Sequence, residues 1–376
     1  MNPETGGPVT PLAELARLFL RLGATSFGGP AAHIALMQQE VVRRRRWLDA
    51  AAFVDALSAT NLIPGPNSTE LAMHIGHARR GARGLVVAGV SFILPAALMV
   101  GVLAAAYVRY ASLPDVSRVF HGIKPVVIAI VALAVWTLGR ATVRTATTAA
   151  IAVGALVMLA AGVHELIVLA ASGATAVLLT SRQPRSLAVL IGSMVPAGVP
   201  AAAAPFGLGL MFLVFLKIGS VLFGSGYVLL AFLRADFVER LGWLTEQQLL
   251  DAIAVGQMTP GPVFTTATFI GYLLGGPGGA VVATVGIFLP AFIFVALTRP
   301  LVERMRRSSR MGALLDGINA GSLAMMAFVL AQLARAAVTD TLTVTIAAVS
   351  FVAIAHYRVN TVWLMAAGAA AGWAAA

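Results

Sequence analysis

Leu62-Ile63-Pro64-Gly65-Pro66-Asn67 and Met258-Thr259-Pro260-Gly261-Pro262-Val263 decide how this chain is read. Each Pro-Gly-Pro stands inside apolar, helix-compatible sequence. Proline fixes φ and removes an amide donor, and glycine frees the backbone, so each triplet ends one helix and lets another begin. A single break of this kind reads as a kink, which membrane helices tolerate. Two in matching positions point to a solute site, because freed backbone at membrane depth has to line protein or a watery cavity.

The surroundings place both breaks in a membrane protein. Of 376 residues, 59% are hydrophobic and 11% charged, and the stretch from Ala280 to Thr298 carries no ionisable group. A helix needs about 20 such residues to span a bilayer. The net charge of +11 would suggest nucleic acid in a soluble domain, but here the arginines sit in short loops between apolar spans, where they set orientation. Nucleic-acid binding is not expected. The chain has no cysteine, which excludes disulfides, iron-sulfur clusters and thiol redox chemistry. No signal peptide is read in residues 1–13, and the first apolar segment is expected to insert the chain.

The two breaks belong to an internal repeat. Gly23, Phe27, Gly28, Trp47, Leu48, Asp55 and Pro64-Gly65-Pro66 recur 196 positions later as Gly219, Phe223, Gly224, Trp243, Leu244, Asp251 and Pro260-Gly261-Pro262. After a one-residue deletion, a shift of 195 carries Gly76, Gly81, Gly84, Pro95, Gly122 and Arg140 onto Gly271, Gly276, Gly279, Pro290, Gly317 and Arg335. The expected organisation is a first repeat over 12–181, a linker over 182–207 and a second repeat over 208–376. Each repeat is read as two short hairpins, too short to span, followed by four spans; in the first these fall at about 84–108, 119–139, 146–163 and 165–180.

Basic residues then set the relative orientation of the halves. In the first they cluster at Arg43 to Arg46, at Arg79, Arg80 and Arg83, at Arg140 and Arg144, and at Arg182 and Arg185. In the second, the loop equivalent to 79–83 is uncharged, while the loop after the next span holds Arg299, Arg304, Arg306, Arg307 and Arg310. Equivalent loops are therefore expected on opposite membrane faces, which makes the fold class an all-α polytopic membrane protein built as an inverted repeat. An odd crossing between the halves follows, with Leu187 to Pro200 as its candidate.

Inversion brings the two breaks together. The amides of Asn67, Ser68 and Thr69, with those of Val263, Phe264 and Thr265, would then point toward the midplane from opposite sides, and a helix N-terminus carries about half a positive charge with unpaired N–H donors. The expected binding set is an anion site at Pro64, Gly65, Pro66, Asn67, Ser68, Pro260, Gly261 and Pro262. Arg21 and Lys217 occupy equivalent positions and are read as flanking cations, the alternative being side chains that snorkel to an interface. Lys124, whose repeat partner is Asn319, is a third buried-cation candidate. A dianion so held needs no metal, and no cofactor is expected. For coupling protons the candidates are Glu70 and His74, then Glu40 and its match Asp236. The competing reading of Glu40 is an offset for Arg43 or Arg44. His164-Glu165-Leu166-Ile167-Val168 opens like a zinc-protease motif but lacks the second histidine. No Gly-Lys-Ser/Thr loop is present, so accumulation is expected to draw on an ion gradient, the membrane potential or a partner subunit rather than on ATP hydrolysis by this chain, which is read as non-enzymatic.

Gly23-Ala24-Thr25-Ser26-Phe27-Gly28-Gly29-Pro30, then Glu40, Trp47 and Asn61-Leu62-Ile63-Pro64-Gly65-Pro66, followed by Gly76 and Gly84, resembles the pattern of the chromate ion transporter family, through both halves as in its long-chain members. The resemblance implies efflux of chromate across a bacterial inner membrane, with sulfate as the related oxyanion and chromate resistance as the outcome. It adds Ser26, Gly28 and Gly29 to the substrate-binding set, with Ser225 of the second copy. There Gly224-Ser225-Gly226 replaces Gly-Gly-Pro, so the two half-sites differ chemically. A homodimer is kept as an option. The rival readings are a carrier for sulfate or another oxyanion and, more distantly, a lipid-handling membrane protein.

Overall fold

The computed structural model describes residues 10–180, 205–223, 226–306 (side chains to 297) and 308–375. The linker call over 182–207 falls, up to Ala204, outside these residues, as do Arg182, Arg185, Arg307 and Ser225. Fourteen α-helices and no strand are found among the described residues. The first half holds α1 (Leu12–Thr25), α2 (Gly29–Gln38), α3 (Ala50–Thr60), α4 (Asn67–Tyr110), α5 (Pro114–Thr142), α6 (Ala146–Ala160) and α7 (Glu165–Thr180). The second holds α8 (Leu208–Val221), α9 (Leu229–Leu233), α10 (Glu246–Met258), α11 (Thr266–Arg306), α12 (Ser309–Ala337), α13 (Thr341–Ala355) and α14 (Thr361–Ala374).

The repeat extends to local detail. α2 and α9 both run into a π-helical turn, Gln39–Arg44 and Arg234–Arg240. Both turns end alike, with the Trp47 amide bonded to the Val41 carbonyl and the Trp243 amide to that of Phe237, each at a residue of positive φ, Arg46 (51°) and Gly242 (61°). Each bond spans seven residues, one more than the usual 6→1 closure, as a π turn requires, and passes through a left-handed residue, a place glycine fills without strain. Thr145 and Asp340, 195 positions apart, each begin a helix with a reciprocal capping box, completed by Thr148 and Thr343.

Two of the long helices are hairpins. Within α4 the helix breaks at Arg80 (φ −143°) and Gly81 (φ 58°), and within α11 at Gly275 (φ −139°) and Gly276 (φ 60°). Thr268 and Thr284 share a hydrogen bond of 2.8 Å between their hydroxyls. In a straight helix, sixteen residues apart means about 24 Å. Gly76 and Gly84 likewise pack so closely that a Cβ on either would collide with the other's carbonyl oxygen. Each hairpin has a short limb (67–79, 266–274) and a long one (82–110, 277–306).

The limbs and the preceding helices share ends. Arg79 donates from Nε to Thr10 Oγ1 (2.9 Å) and from Nη1 to the Trp47 carbonyl (3.2 Å), and Arg45 pairs with Glu14 at 2.6 Å. The start of α1, the end of α2's π turn, the start of α3 and the turn of α4 therefore lie together. In the second half, the Phe206 ring meets Trp243 edge-on at 5.1 Å and lies beside Gly275.

The halves interlock and are inverted. α14 packs against α5, and α7 against α12. Gly122 meets Gly368 and Arg118 meets Gly372, so α5 and α14 run antiparallel; Gly317 with Ala176 and Gly321 with Leu169 make α12 and α7 antiparallel as well. Two short connections reverse the chain between α5 and α7, so those two run the same way. The equivalent helices α7 and α14, and α5 and α12, consequently point in opposite directions, as the arginine pattern predicted.

α4, α5, α11 and α12 have the length and apolarity to cross a membrane. α6, α7, α13 and α14, with 14 to 16 residues, reach only roughly 21–24 Å at 1.5 Å per residue, less than the about 30 Å hydrocarbon core. The expected four full spans per half thus become two long and two short helices. The outer surface is apolar: Val102 stands 70% and Leu297 67% exposed, a surface suited to lipid rather than water. The chain is a multi-pass membrane protein.

Candidate functional site

Each Pro-Gly-Pro turn docks on the opposite half. The Gly65 amide donates to the Leu222 carbonyl (2.8 Å), at the end of α8, and the Gly261 amide donates to the Ser26 carbonyl (2.9 Å), at the end of α1. Leu222 and Ser26 are equivalent in the repeat, so the two bonds are one contact made twice. Behind them, Gly65 lies against Ala291 and Gly261 against Ala96, again an equivalent pair. The chain can pass here because Gly65 (φ 140°) and Gly261 (φ 92°) both adopt backbone geometry that side chains disfavour.

Between the two turns is a cavity of about 610 Å³. The first break contributes Asn61, Pro66, Asn67 and Ser68, the second Pro262, Val263 and Phe264, and Gly28 and Pro30 come from the turn after α1. The remaining wall holds Thr137, Tyr227, Asn319 and Ser322. The first amide bonded back on each turn is that of Thr69, to Pro66, and that of Thr265, to Pro262. Those of Asn67 and Ser68, and of Val263 and Phe264, precede any helical acceptor and are the unpaired donors of a helix N-terminus. The two breaks are unequal: where the first places Ser68, the second places Phe264. Asn67 Nδ2 donates to Asn61 Oδ1 at 2.9 Å, and the buried Ser322 hydroxyl has no protein partner among the described residues.

Of the residues singled out from sequence, Gly28, Pro66, Asn67, Ser68 and Pro262 line this cavity. Pro64, Gly65, Pro260 and Gly261 form the turns, the Ser26 carbonyl anchors the second, and Gly29 (φ 73°) opens α2. The three cations are not brought to it. Arg21 pairs with Glu40 at 2.8 Å, and Lys217 with Asp236 at 2.5 Å. Glu40 is further held by Arg44, and Asp236 by Arg240. Equivalent cations thus meet equivalent carboxylates, and Glu40 and Asp236 are held by ion pairs rather than standing free. Lys124 lies 2.9 Å from Asp251, which also accepts from Tyr107 OH at 2.7 Å, in a separate pocket of about 380 Å³. No lysine or arginine lines the central cavity among the described residues. Lys217→Ala is accordingly expected to lower thermal stability by about 1–2 kcal/mol, since Asp236 is buried but keeps Arg240, and to leave substrate affinity unchanged; a transport KM raised tenfold at unchanged stability would return Lys217 to the site.

Glu70 is fully buried two residues after Ser68, and neither carboxylate oxygen has a hydrogen-bond partner among the described residues. His74 follows it by one helical turn. Sequence reasoning passed over His33, also buried: its Nε2 lies 3.1 Å from the Ser26 carbonyl and its Nδ1 3.2 Å from Ser68 Oγ. Its one available signal was a lone histidine four residues after Gly29 in an otherwise apolar run. Tyr227 and Ser322 had no such signal.

The family model described as chromate transporter matches this chain twice, over residues 13–177 and 209–373. A probable chromate transport protein of Synechococcus elongatus is 32% identical, covering 89% of this chain and 87% of the relative. A chromate transport protein of Cupriavidus metallidurans is 31% identical over 96% and 92% of the two chains. An uncharacterized transporter of Methanocaldococcus jannaschii is 27% identical over 77% and 76%. No solved structure matches the chain.

Proposed function

The chain belongs to the chromate transporter family, and on that premise we propose that it exports chromate from the cytoplasm across a bacterial inner membrane by secondary active transport, with sulfate as the related oxyanion. The observation that carries this reading is the convergence of two helix N-termini, one from each inverted half, on a single cavity. Chromate is a tetrahedral dianion. Two helix ends supply about one positive charge between them, and Asn67, Ser68, Asn319 and Ser322 offer polar contacts. A site without lysine or arginine attracts the anion while still letting it go, as a carrier requires.

On this reading both Pro-Gly-Pro hairpins are re-entrant. The eleven residues of α3 reach about 16 Å, half the about 30 Å core, which sets the break near mid-depth. Arg43 to Arg46, Arg79, Arg80, Arg83, Arg140, Arg144, Arg310 and Arg358 share one face, the cytoplasmic one by charge. The cavity reaches toward that face through Thr142, Ile354 and Thr361, so this conformation loads from inside. Toward the other face, Lys124 and Tyr107 of the first half close on Asp251 of the second.

Glu70 is the group assigned to proton coupling, because a buried carboxyl beside the first break with no partner among the described residues is costly, and ionisable groups at membrane depth mark transport pathways. The test uses inside-out membrane vesicles. Wild type is expected to accumulate labelled chromate when energised, with unlabelled sulfate competing. Glu70→Gln is expected to keep its membrane abundance and lose at least about tenfold of the uptake driven by an imposed pH gradient. Vesicles that take up no more chromate than those lacking the protein would remove the reading.

A further inference from the structure

His33 has two hydrogen-bond partners of different kinds, and that fixes where its hydrogens are. The Ser26 carbonyl can only accept, so Nε2, at 3.1 Å, carries a hydrogen. In the neutral ring Nδ1 is then an acceptor, and the only hydrogen available along its 3.2 Å contact is that of the Ser68 hydroxyl. Ser68 lines the cavity as the second residue of α4. With its hydrogen committed to His33, it shows an entering anion only lone pairs. When the ring gains a proton, Nδ1 becomes a donor to Ser68 Oγ, and the hydroxyl hydrogen is released to turn toward the cavity.

We propose that His33 is a positioning residue for the oxyanion: its protonation turns Ser68 from an acceptor into a donor, so that capture of the anion and uptake of a proton favour each other. This rests on the anion site proposed above. The change needs only the rotation of one hydroxyl. It exists once in the molecule, because the second half has Leu229 and Phe264 where the first has His33 and Ser68. The ring is buried and meets Phe92 on the long limb of α4 edge-on, so its new charge has to be balanced by ionisable groups on the elements around it. On α1 these are Glu14, Arg17 and Arg21; after α2, Glu40 and Arg43 to Arg46; on the short limb of α4, Glu70, His74, His77 and Arg79; and Tyr227 stands near Gly29. Glu14 is paired with Arg45, and Glu40 with Arg21 and Arg44. That leaves the anion itself, with Glu70 two residues beyond Ser68, to balance the proton.

The experiment measures labelled-chromate binding to the purified full-length protein between about pH 4 and 8, for wild type, His33→Gln, Ser68→Ala and the double variant. Glutamine reaches both partners with its amide, donating to Ser26 and accepting from Ser68, and cannot be protonated. Chromate's own protonation is common to every sample, so the ratio of wild-type to His33→Gln affinity is the quantity read. It is expected near one at the alkaline end and to climb by about tenfold toward the acid end, the worth of one charge-assisted hydrogen bond. Ser68→Ala should follow His33→Gln, and the double variant should be no flatter than either. A ratio constant with pH, or a Ser68→Ala protein that keeps the wild-type dependence, overturns the proposal while chromate binding itself stands. Absence of binding at every pH would take down the anion site and this proposal together. Melting curves of all four proteins, expected to agree, separate a positioning effect from misfolding.

Discussion

Gly261→Val abolishes transport, on the geometry of the second break, while leaving protein in the membrane. Gly261 sits at φ 92°, a region a β-branched residue avoids at a cost of about 1–3 kcal/mol. A Cβ there would stand 2.7 Å from the Ala96 methyl and 2.9 Å from the Gly23 carbonyl oxygen, and relief of such overpacking shifts backbone. The element that shifts is the turn whose amide holds the Ser26 carbonyl, and with it the N-terminus aimed at the cavity. Displacements of about 1 Å at a positioned site cost on the order of a hundredfold, so chromate uptake in vesicles is expected to fall at least that far. Gly65→Ala, with φ 140° and a Cβ directed into the Glu70 carboxyl, should behave likewise from the other side. Wild-type uptake by Gly261→Val, at matched abundance, would mean that the second turn plays no part.

The second large effect concerns how the halves are held together. Lipid gives no hydrophobic drive for helix association, so close backbone packing over small residues takes its place. A Cβ on Gly122 would be driven into the Gly368 carbonyl, and one on Gly317 into that of Ser172. These are the two copies of the contact by which α14 grips α5 and α7 grips α12. Gly122→Leu and Gly317→Leu are expected to lose most of the monodisperse protein extracted in detergent, with a destabilisation at or above the top of the about 1–3 kcal/mol range for overpacking. Gly154→Leu is the control, since a Cβ at Gly154 meets nothing. Equal melting temperatures for Gly122→Leu and Gly154→Leu would contradict the interlocked arrangement.

Much of this was open to a reader of the sequence because the information is periodic. The repeat, its inversion from the arginine loops, and the two breaks all rest on the same signal being present twice. The exchange of α7 and α14 between halves was not legible, since nothing in Gly173 or Gly368 says which helix it will meet. Arg21 and Lys217 lie in ion pairs away from the cavity, and the repeat itself holds the reason. Arg21 recurs as Lys217 and Glu40 recurs as Asp236, so the repeat kept an acid with each base; a pair retained together points to mutual neutralisation more directly than to a shared anion. His33 escaped because repeat reasoning does not register features found in one copy, and its match is Leu229. The polar wall at Asn319 and Ser322 lies on α12, far in sequence from either break, and only the packing of helices brings it there.

Cryo-electron microscopy of the protein with chromate bound tests most directly whether the cavity between the two breaks holds the anion. The predicted result is density for the oxyanion between Asn67-Ser68 and Val263-Phe264, with Ser322 and Asn319 beside it and no lysine or arginine in contact. Density instead at Lys124, or between Arg21 and Lys217, with the space between the two Pro-Gly-Pro turns left to lipid or water, would contradict it.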